Sequence, residues 1–140
     1  MSRVFWDTNL FIYLFEGEGA FHDRVVELRK SMLERGDHLV TSALTLGEIL
    51  VKPVEQQNAL LAAQYEESIC ATSLLIPFDQ RAARVYAELR CDRTIRAPDA
   101  IQLACAAAAD VDLFITNDDR LSTKHVNGIQ FIVPLTRTPL

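Results

Sequence analysis

Asp7, Glu48, Asp99 and Asp118 stand where this 140-residue chain leaves an apolar run or enters an apolar helix. Asp7 closes Val4-Phe5-Trp6 and opens Asp7-Thr8-Asn9, and Asp118 follows Leu113-Phe114-Ile115-Thr116 in nearly the same way. If both runs are parallel strands of one sheet, their carboxylates lie at its C-terminal edge, where open α/β folds place ligands. Glu48 and Asp99 fall in otherwise apolar helical segments, where an unpaired charge is costly and a positive partner is expected. Oxygen donors on four separate elements, with no histidine or cysteine cluster, suit a hard cation such as Mg²⁺ or Mn²⁺. Such an ion lowers the pKa of a bound water and neutralises a phosphoryl oxygen, the chemistry of phosphodiester hydrolysis.

Taken singly, each acid also has a plain structural explanation. Asp7, Thr8 and Asn9 are all good helix N-caps. Asp99, just behind Pro98, suits the dipole of a first helical turn, and Asn117-Asp118-Asp119 can be no more than a turn. Glu48 can emerge on an exposed strip beside Thr45. It is the ordered set that points to one shared pocket. Asn9 fits a supporting role beside Asp7. Whether Asp118 or Asp119 faces the ion stays open, the Thr-x-Asp spacing from Thr116 favouring Asp118.

The elements that must position these groups alternate between short strand-like runs and helical segments, the signature of an α/β three-layer sandwich with helices on both faces of a mostly parallel central sheet. The strands are expected at Val4 to Trp6, Leu39 to Thr41, Leu74 to Ile76, Leu113 to Thr116 and Gln130 to Val133, each continuously apolar as buried parallel strands tend to be. Helices are expected over Leu10 to Phe15, then Phe21 to Arg35 with Gly36 as C-terminal cap. Leu44 to Val51 follows, closed by Pro53, then Glu55 to Cys70, Gln80 to Cys91 capped by Asp79, and a last helix from Pro98.

A length of 140 residues fits a single domain spanning 1–140. The N-terminus runs straight into a strand without the regions of a secretory signal, so a cytoplasmic protein is expected. The longest apolar stretch, Ala100 to Ile115, is broken by Gln102, Asp110 and Asp112 and too short to span a bilayer. Cys70, Cys91 and Cys105 are odd in number and widely spaced, which argues against a disulfide framework or a zinc site. Cys105 is expected to pack as a small apolar residue. His22, His38 and His125 share no spacing and read as surface or loop residues, which disfavours a histidine-based nuclease. Phe5, Phe11, Tyr13 and Phe15 read as core and dimer-contact residues rather than base-stacking platforms. The net charge of −5 weakens a nucleic-acid partner without excluding it, since a divalent cation would offset part of the acidity. Arg90, Arg93 and Arg96, just before Asp99, form a basic cluster that can steer a phosphate backbone or simply be a solvated loop.

The ordered segments Val4-Phe5-Trp6-Asp7-Thr8-Asn9, Thr41-Ser42-Ala43-Leu44-Thr45-Leu46-Gly47-Glu48, Ala97-Pro98-Asp99-Ala100-Ile101-Gln102-Leu103-Ala104 and Leu113-Phe114-Ile115-Thr116-Asn117-Asp118 resemble the PIN domain family of metal-dependent ribonucleases over essentially the whole chain. At this length the chain is most similar to the VapC toxins of toxin-antitoxin pairs. The resemblance implies Asp7, Glu48, Asp99 and Asp118 as metal-binding acids, with Asn9 and Thr116 supporting them. It further implies an RNA substrate, cleaved by metal-activated water to leave a 5′-phosphate and a 3′-hydroxyl. A small antitoxin that covers the site and a homodimer are the implied partners.

Two other classes compete. A receiver-type domain with Asp7 as phospho-acceptor needs an acidic pair and a well-placed lysine, and Lys30, Lys52 and Lys124 all lie in unsuitable contexts. A non-catalytic PIN-fold module that binds RNA or protein keeps the fold but leaves the four acids without a purpose.

Overall fold

The computed structural model describes residues 1–139. Five strands, β1 (Arg3–Trp6), β2 (His38–Ser42), β3 (Leu74–Ile76), β4 (Leu113–Thr116) and β5 (Phe131–Pro134), form one sheet in the order β3-β2-β1-β4-β5. Every neighbouring pair is parallel, so the sheet is wholly rather than mostly parallel. Side chains alternate across it. Val4, Trp6, Leu39 and Ile115 face one layer of helices, and Phe5, Val40 and Phe114 face the other. The Phe5 and Phe114 rings stack at 4.9 Å between adjacent strands, adding to the burial that drives the sheet together.

The first layer is α1 (Thr8–Glu16), α2 (Ala20–Arg35), α3 (Ala43–Glu55) and α4 (Ala59–Thr72). The second is α5 (Gln80–Leu89) and α6 (Ala97–Ala108), joined by Leu121 of the short α7 (Asp119–Ser122) and by Val126 and Ile129 beyond it. A 3-10 turn, Leu135–Arg137, ends the fold. Local chemistry sets the helix starts: Asp7, Ser42, Asn58, Asp79 and Asp118 each accept a hydrogen bond from a backbone N–H of the helix that follows. Gly36 ends α2 with φ +72, its N–H returned to the Leu33 carbonyl.

Several sequence expectations need correction. Pro53 does not close the third helix but sits buried inside α3. It falls in the last turn, where the missing N–H costs one bond and the ring is packed. The fourth helix starts at Ala59 rather than Glu55, because Gln57 takes φ +54 and Asn58 then caps. The fifth strand is displaced by one residue, and α7 was not anticipated. Cys105 is buried, and burial, reinforced by Asp79, pushes its thiol up to about 11. Phe5 and Phe11 are core residues, while Tyr13 and Phe15 are half-buried. Among the described residues no helix is long and apolar enough to cross a membrane.

The strand order places the site. From β1 the chain crosses to β2 and β3 on one side, while β4 and β5 lie on the other. Adjacent β1 and β4 therefore flank the point where the winding reverses, and a crevice opens beyond their carboxyl ends. Asp7 and Asp118 leave the sheet there.

Candidate functional site

Asp7, Glu48, Asp99 and Asp118 line one pocket of about 250 Å³, together with Asn9 and Gln102. Size does not single this pocket out. A larger open cleft of about 540 Å³ lies at the opposite sheet edge among Arg29, Asp37 and Ser73, and it gathers no such set of acids.

Asp7 is the buried member, 8% exposed. Its Oδ1 caps α1 by accepting from the Thr8 N–H at 2.8 Å and takes a longer bond from Gln102 Nε2 at 3.4 Å. Its Oδ2 accepts from Thr116 Oγ1 at 2.7 Å. Burial nonetheless dominates, and the carboxyl is pushed up to about 6 against the hydrogen bonds of Thr116 and Thr8, with Asp99 and Glu48 adding to the rise. Thr116 also accepts from the Asp118 N–H at 3.0 Å, so one hydroxyl ties the ends of β1 and β4 together. The capping role and the pocket-lining role of Asp7 coexist.

Of the two positions open to Glu48, enclosed by apolar side chains or on an exposed strip, the structure shows the second. Glu48 is exposed, because α3 buries Thr45, Ile49 and Pro53 and turns Val51 and Val54 outward. Its Oε1 accepts from Thr8 Oγ1 at 2.6 Å. That bond ends a directed chain. The Ser42 hydroxyl donates to Gln102 Oε1, which orients the amide so that Nε2 donates to Thr45 Oγ1 at 2.7 Å and Thr8 Oγ1 at 3.0 Å. With one lone pair engaged by Gln102, the Thr8 hydroxyl turns its hydrogen to Glu48. Gln102 is thus the hub that sequence reasoning missed. A signal existed, since it lies three residues after Asp99 on the same face of α6.

The other pair is held differently. Asp118 accepts from the Arg120 N–H and Nε, both at 3.0 Å on Oδ1, and pairs through Oδ2 with Arg120 Nη2 at 2.5 Å. Arg120 holds its carboxyl below the usual range. Asp99 lies 3.8 Å from the same Arg120 Nη2 and 3.7 Å from Arg96 Nε. Partial burial and the nearby Asp118 charge still raise its pKa. Of the three arginines singled out in the sequence, only Arg96 meets a site acid. Arg90 stacks on Tyr86, its Cζ 5.9 Å from the ring centre, and Arg93 is exposed. Asp119 is exposed on α7, whereas Asp118 lines the pocket.

The donor chemistry fits a hard divalent cation. The acids offer only oxygens, and Asn9, in the same pocket, carries a buried Oδ1 with no hydrogen-bond partner among the described residues. Among the described residues no three Asp, Glu, His or Cys side chains are gathered closely enough to hold an ion as they stand. Asp99 and Asp118 are drawn instead onto arginines.

The fold and the site together define an open, wholly parallel α/β three-layer sandwich with acids converging beyond the ends of its two central strands. The chain belongs to the PIN domain family, whose model matches residues 4–126. Its fold is shared with VapBC2 from Rickettsia felis bound to a promoter DNA fragment, at TM-score 0.75 and 14% identity, covering 94% of this chain and 98% of that one. It is similarly shared with DNA-bound VapBC from Salmonella typhimurium, at 0.75 and 16%, covering 96% and 99%. VapBC-1 from nontypeable Haemophilus influenzae follows at 0.72 and 19%, covering 96% and 99%. No curated protein matches the chain.

Proposed function

We propose that this chain, as one PIN-like domain over residues 1–140, is an endoribonuclease dependent on Mg²⁺ or Mn²⁺ and the toxin of a VapBC-type toxin-antitoxin pair. The observation that carries the reading is the meeting of acids from four elements in one pocket beside the orphaned Asn9 oxygen. Asp7, Glu48, Asp99 and Asp118 would hold the ion. When bound, such an ion supplies a water of lowered pKa and neutralises charge on the scissile phosphate.

The chain's own residues do the rest. Thr116 and the Thr8 N–H hold the Asp7 carboxylate against its tendency to protonate, and the Gln102 chain fixes the Thr8 hydroxyl on Glu48. Arg96, at the mouth beside Asp99, is placed to meet an incoming phosphate backbone, with Arg93 and Arg90 further along the same loop. RNA as substrate is consistent with a cytoplasmic setting.

An antitoxin partner is supported by the neighbouring apolar pocket of about 160 Å³, which includes Ile12, Phe15, Ile49 and Tyr65 and shares Glu48 with the site. A helix or strand seated there would cover the acids. A homodimer is the second expected assembly, to be read from mass in solution.

The test is cleavage of a mixed pool of labelled RNAs in Mg²⁺ or Mn²⁺, beside an EDTA control and Asp99→Asn. Cleavage lost in both controls is expected. Absence of cleavage in every lane, from folded protein free of inhibitor, would return weight to a non-catalytic binding module.

A further inference from the structure

Among the described residues Arg120 is the one cation that meets two of the site carboxylates. It lies two residues after Asp118 on α7, and its backbone N–H, Nε and Nη2 all reach that carboxylate, with Nη2 3.8 Å from Asp99 Oδ2. This is a guanidinium fork closed on one carboxylate and leaning on a second. Arg96 touches only Asp99. We propose that Arg120 is a built-in counter-ion, holding Asp99 and Asp118 in the ion-free chain and releasing them when a divalent cation enters, so that its guanidinium is freed beside the reacting phosphate.

The physical case is competition for the same lone pairs. The oxygens of Asp118 that face Arg120 are donors a cation would need, and a guanidinium and a divalent ion on one carboxylate repel each other. Without either cation, Asp99 and Asp118 repel instead, which the chain avoids by closing the fork. The pair is built to yield, because the Arg120 side chain is 51% exposed and an ion pair so open to solvent is weak. Once displaced, Arg120 remains tethered within two residues of Asp118. A planar bidentate donor is thereby left at the place where a phosphate would arrive. The residues between Asp118 and Arg120 are too few to let it leave the site.

Resting as it does on the divalent-ion reading above, this role is tested first by ion affinity rather than by cleavage. Mn²⁺ binding to the full chain is measured by titration calorimetry for the parent, Arg120→Gln and Arg120→Lys, with thermal unfolding in EDTA alongside. Arg120→Gln is expected to bind Mn²⁺ about three- to fivefold tighter, the worth of a solvent-exposed ion pair removed from the competition. In EDTA it should unfold at lower temperature than the parent. Arg120→Lys keeps the charge without the fork and should bind Mn²⁺ close to the parent affinity. Arg120→Gln should also cleave RNA more slowly in spite of its tighter ion.

Unchanged or weaker Mn²⁺ binding by Arg120→Gln, in a series where the parent binds, overturns the counter-ion role and leaves the divalent-ion reading standing. Tighter binding with undiminished cleavage overturns the contact with phosphate alone. If neither folded protein takes up Mn²⁺, the divalent-ion reading itself falls and Arg120 falls with it.

Discussion

Replacing Asp7 by Asn should stabilise the ion-free protein at neutral pH while removing any cleavage. Asp7 is raised from 3.8 to about 6 by burial. Well below pH 3.8 it is protonated in folded and unfolded chains alike and contributes nothing. As pH climbs from 4 towards 6 the unfolded chain gives up its proton while the folded chain keeps it, so stability falls through that window. Above it the folded chain bears the full cost of a buried carboxylate. Two pKa units correspond to about 3 kcal/mol. Asn recovers part of this. It caps α1 as well as Asp does, and its amide can face Thr116, whose hydroxyl must then accept rather than donate. Allowing about 1 kcal/mol for that rearranged bond leaves a net gain of roughly 1–2 kcal/mol.

The assay is urea unfolding of both proteins in EDTA at several pH values between 4 and 7.5. All other titrating groups are shared, so the difference isolates position 7. It should be smallest at pH 4, grow through pH 6 and level off above. A difference that is flat with pH, or an Asn variant less stable at pH 7, would refute the reasoning. Adding Mn²⁺ should reverse the order, since an ion that binds only the folded parent at about 100 times its Kd adds roughly 2.7 kcal/mol.

Three further outcomes follow from named contacts. Gln102→Leu keeps the volume but strands Ser42, Thr45 and Thr8, so a loss of about 2–4 kcal/mol in urea unfolding is expected, with slower cleavage because Glu48 loses its oriented neighbour. Thr116→Val removes a hydrogen bond that favours the charged Asp7, so its pKa should climb further and the onset of Mn²⁺ binding shift to higher pH in calorimetry. Gly128→Ala should cost about 1–3 kcal/mol, because φ is +95 and the new Cβ would stand 2.7 Å from the Ala107 carbonyl oxygen. Its thermal unfolding should show the loss while Mn²⁺ affinity stays at the parent value.

The strands were legible because a sheet buried on both faces demands short continuous apolar runs, whereas the longer ones, Leu10 to Phe15 and Leu103 to Ala108, belong to helices. Helix ends were legible where one residue decides them, as at Asp79 and Gly36, and were misread where two signals conflicted. Pro53 announces an end in sequence, yet burial of its ring in the final turn of α3 outweighs one missing bond. Glu48 was left open between an enclosed and an exposed position for a related reason. Apolar composition says that α3 packs, but the direction in which it packs depends on α4 and β2, and Val51 and Val54 are left outside.

The acids at strand ends were readable as a pair because each local segment carries its own strand-then-acid word. Their adjacency is a property of strand order, which brings Thr116 to Asp7 across 109 positions of sequence. Gln102 had a local signal in its spacing from Asp99. Arg120 had none, since a residue two places beyond an acid in a turn is ordinary until α6 brings Asp99 to its other side. Groups that bind through their own element are therefore visible in one dimension, whereas a group that bridges two elements acquires its meaning only from the fold. In this site Arg120 is of the second kind, and Gln102, although its spacing marked it, gains its partners Ser42, Thr45 and Thr8 only from the fold. The acids alone accordingly suggest an open metal cluster, while the assembled pocket sets two of them, Asp99 and Asp118, against one arginine.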